Sequence, residues 1–63
     1  MLIYFTDAIT EQQVAVNPKY VTVVFTAHEG EMSGKTIITL VNGNIVVTQS
    51  LIDVVGALQA QLQ

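Results

Sequence analysis

Up to residue 50 the chain alternates short β-branched or aromatic runs with polar punctuation, and beyond it the spacing of apolar residues changes. Leu2 to Thr6 favours strand, Asp7 to Gln12 is polar, and Val14 and Val16 alternate with Gln13 and Ala15, so residues 2–6 and 13–16 read as a hairpin. Asn17-Pro18-Lys19 is a turn signal, because proline fixes φ and cannot donate to a ladder. A longer strand is expected over 20–27. Strict alternation there puts Val21, Val23 and Phe25 on one face and Tyr20, Thr22, Val24 and Thr26 on the other. The polar stretch His28 to Gly34 forms the tip of the next hairpin.

Asn42-Gly43 joins two further β-rich runs, and this dipeptide suits a type I′ loop, whose two positions both need positive φ. Pairing Val41 with Asn44 then places Leu40 opposite Ile45 and Ile38 opposite Val47 on a wholly apolar face. The other face carries Ile37, Val41 and Val46 among threonines, too apolar to lie freely in water. After Ser50 the period lengthens. Ser50 with Asp53 makes a capping-box-like start, and Leu51, Val54, Val55, Leu58 and Leu62 recur at three- and four-residue spacing, as in an amphipathic helix. Gly56 within it costs about 1 kcal/mol relative to alanine, which suggests close approach to the sheet or to another subunit.

The expected fold class is therefore α+β: a small antiparallel β-sheet of four or five strands followed by one C-terminal amphipathic helix. A single domain, 1–63, would carry strands at 2–6, 13–16, 20–27, 35–41 and 44–49 and a helix at 51–62.

Composition adds a reason to expect association. Of the 63 residues 51% are apolar and only 11% charged, against roughly 25% charged in an average domain, so there is more apolar surface than so short a chain can hide. A core of this size seldom supplies more than about 3–5 kcal/mol alone, and the absence of cysteine removes disulfides as support. Charge narrows the partners. Lys19 and Lys35 stand against Asp7, Glu11, Glu29, Glu31 and Asp53, a net −3 that opposes binding to phosphate backbones or anionic lipid, and an oligomer would multiply it. The first residues lack the positive leader and apolar length of a signal peptide, and no window approaches a membrane span, so a cytoplasmic protein without a membrane or nucleic-acid partner is expected.

The candidate chemistry is sparse. Ser33-Gly34-Lys35-Thr36 echoes the end of a phosphate-binding loop, but the required earlier glycine falls at Glu29, and Ile37 to Leu40 reads as strand where such a loop opens a helix. His28, Glu29 and Glu31 form the one cluster with metal-ligand or acid/base chemistry. With no second histidine and neighbours pointing in opposite directions, a polar hairpin tip explains them better than a closed site. Ser50 is explained as a helix cap, nothing brings Ser33 to His28, and no basic residues interleave Tyr4, Phe5, Tyr20 and Phe25. No catalytic, cofactor-binding or metal residue is assigned, and an enzyme is not expected.

The order of motifs resembles the small flagellar FlbD/SwrD-like family and similar short phage-encoded proteins. It is carried by Met1-Leu2-Ile3, Val16-Asn17-Pro18 before Tyr20-Val21, the run Thr36 to Gly43, Val46-Val47, and Ser50 leading into Val54-Val55. The tip at His28 to Gly34, the few lysines and Gln49 depart from the family's pattern. The resemblance implies a small accessory protein without known catalytic residues, phage-encoded rather than flagellar.

The resulting functional expectation is a noncatalytic interaction or assembly protein that forms a symmetric homo-oligomer. Leu40, Ile45, Ile38, Val47, Val21, Val23 and Phe25 would pack against the helix, and Val24, Ile37, Val41 and Val46 would meet neighbouring chains. The alternative is a binding module that modulates a host protein through the 28–35 loop, with His28, Glu29 and Glu31, or through an edge strand. A nucleic-acid-binding regulator and a metal-organised oligomer are the remaining readings.

Overall fold

The computed structural model describes residues 2–62. Met1, Gln63 and the side chain of Leu62, which the sequence reading places in the β start and on the helix wheel, lie outside the described residues. The elements are β1 (Ile3–Thr6), β2 (Gln13–Val16), a 3₁₀ turn (Pro18–Tyr20), β3 (Val21–Thr26), β4 (Thr36–Leu40), β5 (Gly43–Val47) and α1 (Leu51–Leu62). The protein is thus a small α+β fold with two antiparallel sheets, β1-β2 and β3-β4-β5, and a C-terminal helix.

One bridge ties the two sheets together. Asp7 lies opposite Val47, with the Ala8 N–H donating to the Val46 carbonyl at 2.8 Å and the Thr48 N–H to the Thr6 carbonyl at 2.9 Å. The neighbouring order is therefore β2-β1-β5-β4-β3. Gln49 reinforces the junction by accepting at Oε1 from the Thr6 N–H (3.1 Å) and donating through Nε2 to Thr6 Oγ1 (3.4 Å). Its carbonyl in turn accepts from the hydroxyl of buried Thr36 at 2.7 Å. A buried hydroxyl needs a partner, and this one links β4 to the segment that leaves β5.

The concave faces and the helix enclose one core of Phe5, Val16, Ile38, Val47, Val54 and Leu58. Ile38 and Val47 are fully buried, because β4 is flanked on both sides and β5 is closed by β4 and the bridge to β1. Helix α1 starts where Ser50 accepts at Oγ from the Asp53 N–H (3.2 Å), and the carboxylate of Asp53 in the first turn suits the positive end of the dipole. It buries Val54 and Leu58, half-buries Val55 and leaves Leu51 at the exposed rim. Gly56 faces outward, and a Cβ there would meet nothing within 4 Å, so close packing inside the chain does not account for this glycine.

Two details of the sheet differ from simple alternation. In β3 the register with β4 shifts between Val21 and Val23, a β-bulge in which Thr22 is the extra residue. The bulge reverses the phase of everything after it. Val24 pairs with Ile38 and packs on the core, whereas Val23 and Phe25 turn to the outer face at 53% and 42% exposure. Val23 and Phe25 are therefore not core residues, and Val24 is not an interface residue. In the β4–β5 hairpin, Leu40 pairs with Gly43 and Ile38 with Ile45, two positions away from the register expected from an Asn-Gly loop. Val41 and Asn42 form the loop instead, and the unusual backbone falls on Gly43 alone, at φ +151°. Because a shift of two preserves parity, Ile38, Leu40, Ile45 and Val47 still share one face. Val41 has left the strand and sits at the turn, 68% exposed, off the sheet surface where it was expected.

Candidate interaction surface

The outer face of the β3-β4-β5 sheet is built from the residues that β4 turns away from the core. Ile37 occupies its centre, with Phe25 directly opposite on β3 and Val46 directly opposite on β5. Cross-strand neighbours on one face lie about 5 Å apart at Cβ, so these three side chains form a continuous apolar row across the whole sheet. The neighbouring row holds Val23, Thr39 and Asn44. Thr22 adds a hydroxyl that donates to the Thr39 carbonyl at 3.1 Å, which anchors the bulge to β4. None of these positions is charged. The helix cannot cover this face, since Val54 and Leu58 are committed to the opposite side.

Of the four positions expected at an interface, the structure brings Ile37 and Val46 together on this surface and separates Val24 and Val41 from it. Phe25 and Val23, the larger part of the exposed apolar area, were missed there. A double valine, Val23-Val24, inside an uncharged run offers no sign of which residue faces inward once a bulge intervenes.

His28, Glu29 and Glu31 lie exposed on the β3–β4 connection. That connection is closed by backbone bonds: Ala27 N–H to the Lys35 carbonyl and Gly34 N–H to the Ala27 carbonyl, both 2.9 Å. Gly30 and Gly34, at φ +78° and +87°, supply the left-handed positions that let so short a tip reverse. Ser33 donates to the His28 carbonyl at 3.4 Å, a backbone contact that leaves the imidazole out of any nucleophile pair. Among the described residues, no three of the His, Asp and Glu side chains are grouped to hold a metal ion.

Asp7 is the one carboxyl with a clear pKa displacement. The N–H groups of Thr10 (3.0 Å) and Ile9 (2.7 Å) both donate to Oδ1 and hold its pKa below the ordinary carboxylate value. The turn they close places Glu11 at φ +61°, a left-handed position for a residue with a Cβ. An open depression of about 340 Å³ lies between the 3₁₀ turn and the β4–β5 loop, walled by Tyr20, Leu40 and Val41 and edged by Asn17 and Asn42. Its volume reaches the low end of the range for ligand pockets, but its lining holds no acid–base pair. No helix among the described residues is long and apolar enough to cross a membrane.

A scan against protein-family models, a search of curated proteins and a search of solved structures each returned no match to this chain.

Proposed function

We propose that this chain is a noncatalytic assembly module that associates with copies of itself through the outer face of the β3-β4-β5 sheet. The observation that carries the reading is the uncharged row Phe25–Ile37–Val46, which crosses three strands on the side opposite the helix. Isolated exposed apolar residues are ordinary, but a contiguous row on a sheet face is a surface that water disfavours and a like surface can cover. The acidic side chains lie away from it, with Asp7 and Glu11 in the β1–β2 loop, Glu29 and Glu31 at the hairpin tip and Asp53 at the helix start. Net charge therefore does not oppose contact at the face itself. The resemblance to short flagellar and phage-encoded proteins supports the same kind of role, an accessory protein that acts by assembling.

The test is light scattering on the wild type and on Val46→Lys and Ile37→Lys at equal micromolar concentration. The wild type is expected to exceed the 6.8 kDa of one chain, and each lysine is expected to lower the mass while far-UV circular dichroism is retained. A mass that neither lysine changes would remove this face from the interface.

A further inference from the structure

The four side chains Val23, Phe25, Ile37 and Val46 expose on the order of 200 Å² of apolar surface, well under the roughly 800 Å² per partner of a stable interface. A second contact must enlarge that surface, and the edge of β3 offers one.

The Ala27 N–H donates to the Lys35 carbonyl, and in an antiparallel ladder the residues bonded to a given neighbour alternate, so Val23, Phe25 and Ala27 direct their backbone groups at β4. Val24 and Thr26 direct theirs at the open edge. The start of that edge is already occupied, since the Val21 N–H donates to the Pro18 carbonyl of the 3₁₀ turn. Helix α1 lies near β3, yet among the described residues no backbone hydrogen bond joins the two. Backbone groups of this kind are seldom left without a partner, and β3 carries neither the charge nor the proline that usually blunts an exposed edge.

We propose that β3 of one protomer pairs antiparallel with β3 of a second copy about a two-fold axis at Phe25, continuing the three-stranded sheet into six. The inference rests on the self-association reading and specifies a contact that reading leaves open. With only Val24 and Thr26 available on each edge, the register that uses all of their groups sets Val24 of one chain opposite Thr26 of the other. Phe25 then faces its own copy at a non-hydrogen-bonded position, with Cα atoms about 4.5 Å apart. The two outer faces merge into one row from Val46 of one chain to Val46 of the next, which doubles the apolar area available for stacking. A symmetric pair of this kind is closed, so it does not propagate into a fibre along the edge.

The natural absence of cysteine makes the register directly testable. Phe25→Cys is expected to form a disulfide-linked dimer under mild oxidation, because the expected Cα separation lies within the range of about 4.4–6.8 Å that a disulfide spans. Val23→Cys, set opposite Ala27 of the partner, and Ile37→Cys, on the middle strand, are expected to stay largely unlinked. Since Phe25→Cys also removes the ring, Thr26→Pro supplies a second readout: it deletes one edge-directed N–H without touching the β4 ladder and is expected to lower the mass. Linking of Ile37→Cys in preference to Phe25→Cys, or an unchanged mass for folded Thr26→Pro, would overturn the edge contact and leave face-to-face association standing. A wild type that stays a single chain would overturn both.

Discussion

Gly56→Ala isolates backbone propensity from packing. Gly56 lies in the interior of α1, it is exposed, and an added Cβ would meet no atom within 4 Å. With no clash to subtract, the full difference between the two residues in a helix interior should appear, about 0.8–1.0 kcal/mol in favour of alanine. The gain arises chiefly because alanine restricts the unfolded chain more than glycine does. For a domain of this size about 1 kcal/mol raises Tm by roughly 4–8 °C. Thermal unfolding followed by far-UV circular dichroism measures this, with wild type and variant at one protein concentration because association itself makes Tm concentration-dependent. An unchanged or lowered Tm would refute the reasoning. It would mean that the methyl meets something outside this chain, and that the helix face, rather than the outer sheet face, contacts a neighbouring copy.

The buried network at Thr36 gives an opposite expectation. Thr36→Val removes the 2.7 Å bond to the Gln49 carbonyl and should destabilise by about 1–2 kcal/mol, read as a lower urea midpoint at unchanged slope. Glu11→Gly should stabilise by about 0.5–1 kcal/mol, because glycine relieves the left-handed position at φ +61° but gives up some of the gain as unfolded-state entropy, and a loss would show that the turn is not strained there. The pKa of Asp7 is lowered in the folded state, so its contribution is present above the unfolded carboxylate pKa of about 4 and fades as pH falls through the lower folded value. The gap in urea midpoint between wild type and Asp7→Asn should accordingly be larger at about pH 7 than at about pH 2, and a gap independent of pH would contradict the assignment.

How far the sequence was legible differs from element to element. The helix start was readable because Ser50 and Asp53 satisfy a local rule that tertiary contacts did not override. The sides of β4 and β5 were also readable, even though the loop moved from Asn42-Gly43 to Val41-Asn42, since a shift of two residues keeps each side chain on its face. In β3 the same reasoning failed. One extra residue, Thr22, inverts every position after it, and nothing in Val-Thr-Val-Val-Phe-Thr marks a bulge, which is settled by how Thr22 and Val23 meet Thr39 across the strand. Asn17-Pro18-Lys19 was readable as a turn. Its completion as a 3₁₀ turn that takes Tyr20 out of the strand depends on Asn17 accepting from the Lys19 N–H at 3.0 Å and on the Val21 N–H reaching back to Pro18. Gln49 looked like an ordinary polar residue, and only the approach of β1 to β5 gives its carboxamide two partners on Thr6.

Sedimentation equilibrium of the wild type across a range of micromolar concentrations tests most directly whether the outer sheet face draws chains together. The expected result is a mass that rises with concentration above 6.8 kDa and that falls back to one chain when Phe25→Lys and Ile37→Lys are combined. A single 6.8 kDa species at every concentration, folded and with Phe25 and Ile37 open to solvent, would contradict it.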